Sequence, residues 1–191
     1  MIDNLTNNQE YKTKAVFFDR DGVVNMRAVK DYIKTEKEFH FLPDFVEFFG
    51  KLINSDYKTF LITNQQGVGK GIMSVEQLEQ VLKFMQNELS GFYGKGFDDI
   101  FYCTDLAETG SYFRKPNPGM ILQAIDKWKI DKQTSWIIGD SPSDVIAGRR
   151  AGIRTVLIGN YKHIDIPEAD YIIKSLIEIE KHVPIFNNQT T

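Results

Sequence analysis

Lys14–Gly22, KAVFFDRDG, is the stretch on which the fold turns. Ala15–Phe18 form a short apolar run between charges, and such a run reads as a buried strand. The strand stops at two carboxylates two residues apart, Asp19 and Asp21, with Gly22 behind them. At a strand end both side chains can enter one small volume. One can attack an electrophilic centre, and the other can give and take a proton. Gly22 permits a sharp turn that brings backbone N–H groups towards an anion. An Asp-x-Asp pair is also a common solvated acidic turn, and taken by itself it favours that plainer meaning.

Outward from this strand the chain alternates. Pro43–Ser55 has helical spacing, with Phe45, Phe48, Phe49, Leu52 and Ile53 on one face. Lys58–Thr63 is a second strand. Ser74–Phe92 is a helix opened by a capping box between Ser74 and Gln77. Asp99–Cys103 is a third strand, and Pro118–Lys129 a helix with Asn117 as N-cap and Pro118 at its first position. Ser135–Gly139 is a fourth strand, Ser141–Ala151 a helix closed by Gly152, and Arg154–Ile158 a fifth strand. Asp170–Ile173 adds a sixth before a terminal helix around Ser175–His182. This order predicts an α/β fold of three layers: a Rossmann-like parallel sheet with helices on both faces. Neither Gly22–Leu42 nor the stretch between Thr63 and Lys115 leaves room for a large cap domain. Residues 1–191 read as one domain, with 1–13 and 184–191 as flexible termini.

Ligands of such sheets bind beyond the carboxyl ends of the strands, so the residues after each strand carry the argument. After the second strand comes Thr63-Asn64-Gln65-Gln66-Gly67-Val68-Gly69-Lys70-Gly71, a hydroxyl and a glycine-rich loop able to hold phosphoryl oxygens. It is no Walker A loop, because Asn64 stands six before Lys70 and Gly71 replaces the hydroxyl residue. It could equally be a flexible surface loop. Arg114 and Lys115 precede a proline-stiffened helix start, where a fixed ammonium can offset phosphate charge or form an ordinary exposed basic pair. Asp140 follows the fourth strand and suits a hard cation. Asp144 lies three residues after Ser141 and could simply close a capping box. Each cluster is modest, but a nucleophile pair, a hydroxyl, a lysine and a metal carboxylate on one sheet edge are together hard to place by chance.

These residues resemble the haloacid dehalogenase superfamily of phosphatases. DRDGVVN matches its first motif, TNQ its second, RKP its third and GDSPSD its fourth, over about Lys14–Ile158. Three motifs resemble the branch holding histidinol-phosphate phosphatase and heptose-1,7-bisphosphate phosphatase. The resemblance implies a Mg²⁺-dependent phosphate monoester hydrolase working through an aspartyl-phosphate. Asp19 would be the nucleophile and Asp21 the general acid/base, with Thr63 and Lys115 holding the phosphoryl group. Asp19, the Asp21 carbonyl and Asp140 would bind Mg²⁺, with Asp144 in support. Asn64, Gln65, Gly67, Lys70 and Arg114 would serve the substrate. The expected substrate is a small sugar phosphate such as D-glycero-D-manno-heptose 1,7-bisphosphate, with histidinol phosphate as runner-up. A nucleic-acid end phosphatase and a non-catalytic binding module are further alternatives.

The branch commonly carries a Cys-x-His…Cys-x-Cys zinc loop before the RKP lysine. Here that stretch is FYCTDLAETGSYFRK, with one cysteine and no histidine, and one thiolate cannot build a four-ligand zinc site. No zinc is therefore expected. Substrate choice would fall to a flap near Asn25–His40 and to the loop Thr104–Phe113, where Tyr112 and Phe113 could offer a ring face to a sugar or imidazole, with core or rim packing favoured. Bulk properties agree with an ordinary globular protein: 191 residues, 42% hydrophobic, 26% charged and a net charge of -3. That charge gives no reason to expect nucleic-acid or membrane partners, and no apolar run approaches the roughly 20 residues that span a bilayer. A monomer in a reducing cytoplasm is the expectation, with Cys103 as a small buried residue.

Overall fold

The structure is a computed structural model and describes residues 12–29 and 31–185. Six strands, β1 (Lys14–Phe18), β2 (Tyr57–Asn64), β3 (Asp99–Cys103), β4 (Trp136–Gly139), β5 (Arg154–Ile158) and β6 (Tyr171–Ile173), form one sheet. Their order is β3-β2-β1-β4-β5-β6, and every pairing is parallel. The chain winds outwards from β1 to β3, returns, and winds the other way from β4 to β6. The switch point therefore lies between β1 and β4, where a parallel sheet opens a crevice.

The alternation in β1 shows why both faces are covered. Val16 and Phe18 join a core with Phe45 and Phe49 of α1 (Pro43–Leu52), Leu78 and Met85 of α3 (Val75–Tyr93), and Ile179 of α6 (Ile179–His182). Ala15 and Phe17 face the other way, onto Ile121 and Ala124 of α4 (Gly119–Trp128) and Ala147 of α5 (Pro142–Ala151). A four-residue helix, α2 (Gln66–Gly69), occupies the glycine-rich loop after β2. The three-layer α/β sandwich is thus the observed architecture.

Local signals account for both ends of α3 and α5. Ser74 accepts from the Gln77 N–H, and the Gln77 side chain accepts from the Ser74 N–H, as the capping box requires. Gly152 closes α5 at φ +83°. The start of α4 differs from the expected one: its N-cap is Pro118 and it begins at Gly119. Asn117 instead donates to the Ser111 carbonyl and accepts from Arg150, bracing the loop against α5. The terminal helix is shorter than expected, a 3-10 turn at Leu176–Glu178 followed by α6. The termini are also tighter at their inner ends. Thr13 bridges Ile130 and donates to the Lys129 carbonyl, and Ile185 is buried. The rest of the expected flexible ends, 1–11 and 186–191, lies outside the described residues.

Helix α5 sits directly on the sheet. A Cβ at Gly148 would fall 2.3 Å from Ile137 Cγ2 and 2.9 Å from Thr155 Cγ2. Gly148→Val should therefore overpack this contact and lower stability by about 1–3 kcal/mol, read as a lower urea midpoint. An unchanged midpoint would show that α5 can lift from the sheet freely.

Candidate active site

The carboxyl ends of β1, β2 and β4 open into a cleft of about 570 Å³. Asp19, Asp21, Thr63, Gln65 and Lys115 line it, with Arg27 and Tyr32 of the flap above. Asp19 leaves β1 with its N–H bonded to the Ile138 carbonyl of β4, which fixes it at the switch point.

Lys115 is the centre of the floor. Its side chain is 2% exposed, and Nζ donates to Asp19 Oδ1 at 2.7 Å and to the Ile62 carbonyl at 2.8 Å. It also pairs with Asp144 Oδ1. Burial opposes the charged amine, but Asp144 and Asp19 outweigh it and hold Lys115 protonated well above the ordinary range. Asn64 lines the cleft and also clamps the lysine's backbone, accepting from its N–H and donating to its carbonyl. The structure thus gives both ends of the Asn64 amide to Lys115.

Asp21 is held by three neighbours. Arg20 Nη2 donates to Oδ2 at 2.8 Å, Asn25 Nδ2 to Oδ1 at 3.0 Å and Gln65 Nε2 to Oδ2 at 3.1 Å. Burial would raise this carboxyl, but the Arg20 charge and these hydrogen bonds carry it below the usual range. Gln65 also donates to Thr63 Oγ1 at 2.8 Å, so one amide ties the two strand ends together. Arg20 is 1% exposed, and neither it nor Asn25 stands out in the sequence as a site residue. The available signal is a charged residue inside a motif that ends a buried strand.

Asp19, Asp140 and Asp144 each offer an oxygen within 4.8 Å of the others. This all-oxygen set suits a hard cation such as Mg²⁺. The electrostatics agree. Burial, aided by the Asp19 charge, pushes Asp140 up to about 6 although Arg27 pulls it down. Burial likewise raises Asp144 against the pull of Lys115. Three carboxylates therefore crowd a pocket in which Lys115 and Arg27 leave acidic charge uncompensated, and a bound cation would relieve it. Asp144 also acts on its own helix, where its Oδ2 accepts the Ser141 N–H and completes the capping box of α5. The choice between cap and site partner dissolves, since one carboxylate does both.

Several expected features move. The Gly22 N–H donates to the Asn25 carbonyl and so is not turned to an anion. Glycine is needed there because φ is +94° and a Cβ would meet the Asp140 carboxylate at 1.9 Å. In α2 the glycines serve close packing: a Cβ at Gly67 would meet the Tyr32 ring at 2.9 Å, and one at Gly69 the Thr104 carbonyl at 2.3 Å. Lys70 is exposed, with Nζ 6.0 Å from the Tyr32 ring centre, and does not line the cleft. Arg114 does line it, steadied by the Asp105 carbonyl and Gln66. None of Thr104–Phe113 lines the cleft, and the loop touches it only by bracing Arg114 through the Asp105 carbonyl. Tyr112 and Phe113 meet edge to face, 5.4 Å apart, and stay largely exposed rather than packing into a core.

With this geometry, likeness to known proteins becomes informative. Residues 112–179 match the HAD-hydrolase-like family. A D-glycero-β-D-manno-heptose-1,7-bisphosphate 7-phosphatase of Helicobacter pylori is 32% identical over 166 residues, 87% of this chain and 94% of its own. The chain belongs to the haloacid dehalogenase-like phosphatases. A D-glycero-α-D-manno-heptose-1,7-bisphosphate 7-phosphatase of Photorhabdus laumondii is 36% identical over 154 residues, 76% of this phosphatase and 81% of the relative. The crystal structure of a D,D-heptose 1,7-bisphosphate phosphatase from B. bronchiseptica, complexed with magnesium and phosphate, superposes with a TM-score of 0.79 at 27% identity. The match covers 88% of this phosphatase and 97% of that chain. Among the described residues no helix is long and apolar enough to cross a membrane.

Asp140 titrates at about 6 when folded, against 3.8 as an ordinary carboxyl. Between about pH 4 and 6 the folded chain keeps a proton that the unfolded chain has lost. The metal-free phosphatase therefore loses stability as pH rises through that window. A cation needs the ionised form, so the gain in Tm on adding Mg²⁺ should be larger at about pH 7 than at about pH 5 by scanning calorimetry. An equal gain at both would refute the assignment of Asp140 to the cation.

Proposed function

We propose that this phosphatase removes the C7 phosphate of a D-glycero-D-manno-heptose 1,7-bisphosphate through an aspartyl-phosphate on Asp19. The observation that carries the reading is the pairing at the cleft floor. Asp19 lies against a permanently charged, buried Lys115, and Asp21 stands two residues away under its own set of donors. The named activity of the relatives supports the substrate class.

The chain's own residues divide the chemistry as follows. An Asp19 carboxylate oxygen attacks phosphorus and the bond to the sugar oxygen breaks. Asp21 gives a proton to that oxygen as it leaves. Asp21 then takes a proton from water, whose oxygen attacks the same phosphorus and frees Asp19. The donors around Asp21 favour its ionised form, which suits the second half of the cycle. In the first half, the negative charge of an entering phosphate monoester raises its proton affinity. The Thr63 hydroxyl and the Lys115 ammonium face the phosphoryl oxygens, and Lys115 offsets the charge that collects on them. Asp19, the Asp21 carbonyl and Asp140 would hold Mg²⁺, which supplies further charge neutralisation when bound. Asp144 keeps Lys115 in place.

Zinc stays outside this reading. Cys103 is buried with Sγ near Asp105 and Ser111, and burial leads in pushing its thiol up, away from the thiolate that binds metal. Metal analysis of purified protein should show no stoichiometric zinc; one tightly held zinc per chain would overturn this.

Asp19→Asn should abolish Mg²⁺-dependent phosphate release, and Asp21→Asn should cost at least about 100-fold in kcat. Unchanged turnover in Asp19→Asn would sink the covalent mechanism. Both anomers of the heptose bisphosphate, histidinol phosphate and a nucleic-acid 3′-phosphate should be ranked by kcat/KM. The heptose bisphosphates should lead, and a lead by any other substrate would replace the proposed one.

A further inference from the structure

Arg27 stands on the flap that follows Asp21, and no motif assigns it a role. Its guanidinium reaches the switch point. Nη2 lies 2.7 Å from Asp140 Oδ1, 2.8 Å from Asp140 Oδ2 and 3.3 Å from the Asp21 carbonyl. Asp140 and the Asp21 carbonyl are two of the three groups proposed to hold the cation. One cationic nitrogen is thus seated among oxygens that a metal needs.

The pairing is unlike that of a structural arginine. A structural arginine engages a carboxylate with two parallel donors of its planar fork. Here, among the described residues, Nη2 makes all the hydrogen bonds of Arg27 and its other donors have no protein partner. The side chain is 58% exposed, so the ion pair is weakened by solvent. A divalent ion brings twice the charge to the same oxygens and repels a guanidinium nitrogen held within 2.8 Å of both of them.

We propose that Arg27 is the counter-charge of the cation site, that a divalent ion displaces it, and that the released guanidinium then recognises the phosphate that is not transferred. The last step rests on the bisphosphate reading above. Arg27 and Arg114 line the same cleft, but Arg114 is already committed to the Asp105 carbonyl and Gln66. A freed Arg27 has its whole fork available, and that fork matches a phosphate group. Metal loading and recognition of the second anion would then be one event. The cleft would admit a bisphosphate in its productive form only after the cation is in place.

Three measurements decide it. In crystals soaked with Mg²⁺, Arg27 Nη2 should have left both Asp140 and the Asp21 carbonyl. An occupied cation site with those bonds intact overturns the exchange. By calorimetric titration of Mg²⁺ without substrate, Arg27→Met should bind the ion several-fold more tightly than wild type, with Arg27→Lys between them. Equal or weaker binding in Arg27→Met overturns the exchange as well. The ratio of kcat/KM for heptose 1,7-bisphosphate over heptose 7-phosphate should fall about tenfold in Arg27→Met. A ratio unchanged from wild type overturns the recognition step. If the wild-type enzyme shows no preference for the bisphosphate, the bisphosphate reading fails and takes the recognition step with it. The exchange is still judged by the first two measurements.

Discussion

A buried ammonium must be surrounded by acceptors, and Lys115 sets that demand for the whole molecule. Stripping its charge of water costs several kcal/mol, recovered only if the surrounding geometry is held tightly. Its three acceptors come from separate places: Asp19 just past β1, the Ile62 carbonyl within β2 and Asp144 in α5. Satisfying them fixes the relative placement of two strands, a helix and the loop that carries the lysine. The bare end of β4 follows from the same demand. At Gly139 a Cβ would fall 2.2 Å from Asp144 Cβ, so only glycine lets Asp144 lie over the strand end.

Asp21 and Asp140, on either side of Asp19, are driven in opposite directions. Asp21 has an arginine, an asparagine and a glutamine amide on it, and its proton affinity falls despite burial. Asp140 is half-buried beside Asp19, and desolvation with the Asp19 charge raises its proton affinity. Carboxyl groups of like chemistry acquire different roles when their surroundings push them apart. Here one becomes a candidate for proton transfer and the other a candidate for cation binding. The Arg20 side chain is the main cause of the difference, since it places a buried guanidinium on one of them and not on the other.

The mouth of the cleft is made of small pieces. Among the described residues no cap domain covers the cleft, and its mouth is built from Arg27, Ala28, Asp31, Tyr32 and Ile33 of the flap, from Gln66 at the start of α2 and from Arg114. These pieces interlock: Tyr32 lies where a Cβ of Gly67 would be, and Gln66 accepts from Arg114. A change in any one of them would therefore shift the others.

The order and type of the strands were legible because a buried strand leaves a short apolar run; β1, β2, β4 and β5 do so, and β3, half-buried at the sheet edge, keeps Ile100–Cys103. The four acidic and basic clusters were legible because each directly follows such a run or opens a helix. The motif order of DRDGVVN, TNQ, RKP and GDSPSD also carried the family, and the heptose-bisphosphate phosphatase relatives bear it out. What the linear chain could not show was which polar groups meet. Asn64 lines the cleft and also clamps the Lys115 backbone, a contact hidden in the sequence because Lys115 is brought to it only by the return of the chain from β3. Lys70 caps α2 in the same loop and is exposed outside the cleft lining, its Nζ near the Tyr32 ring. Arg27 had no local signal at all, since its partner Asp140 lies across the switch point. Sequence alone determined most of the elements and named the candidate reactive groups, because burial and strand ends act locally. Tertiary structure alone decided which charge each group answers to, because pairing in a parallel sheet joins residues far apart in the chain.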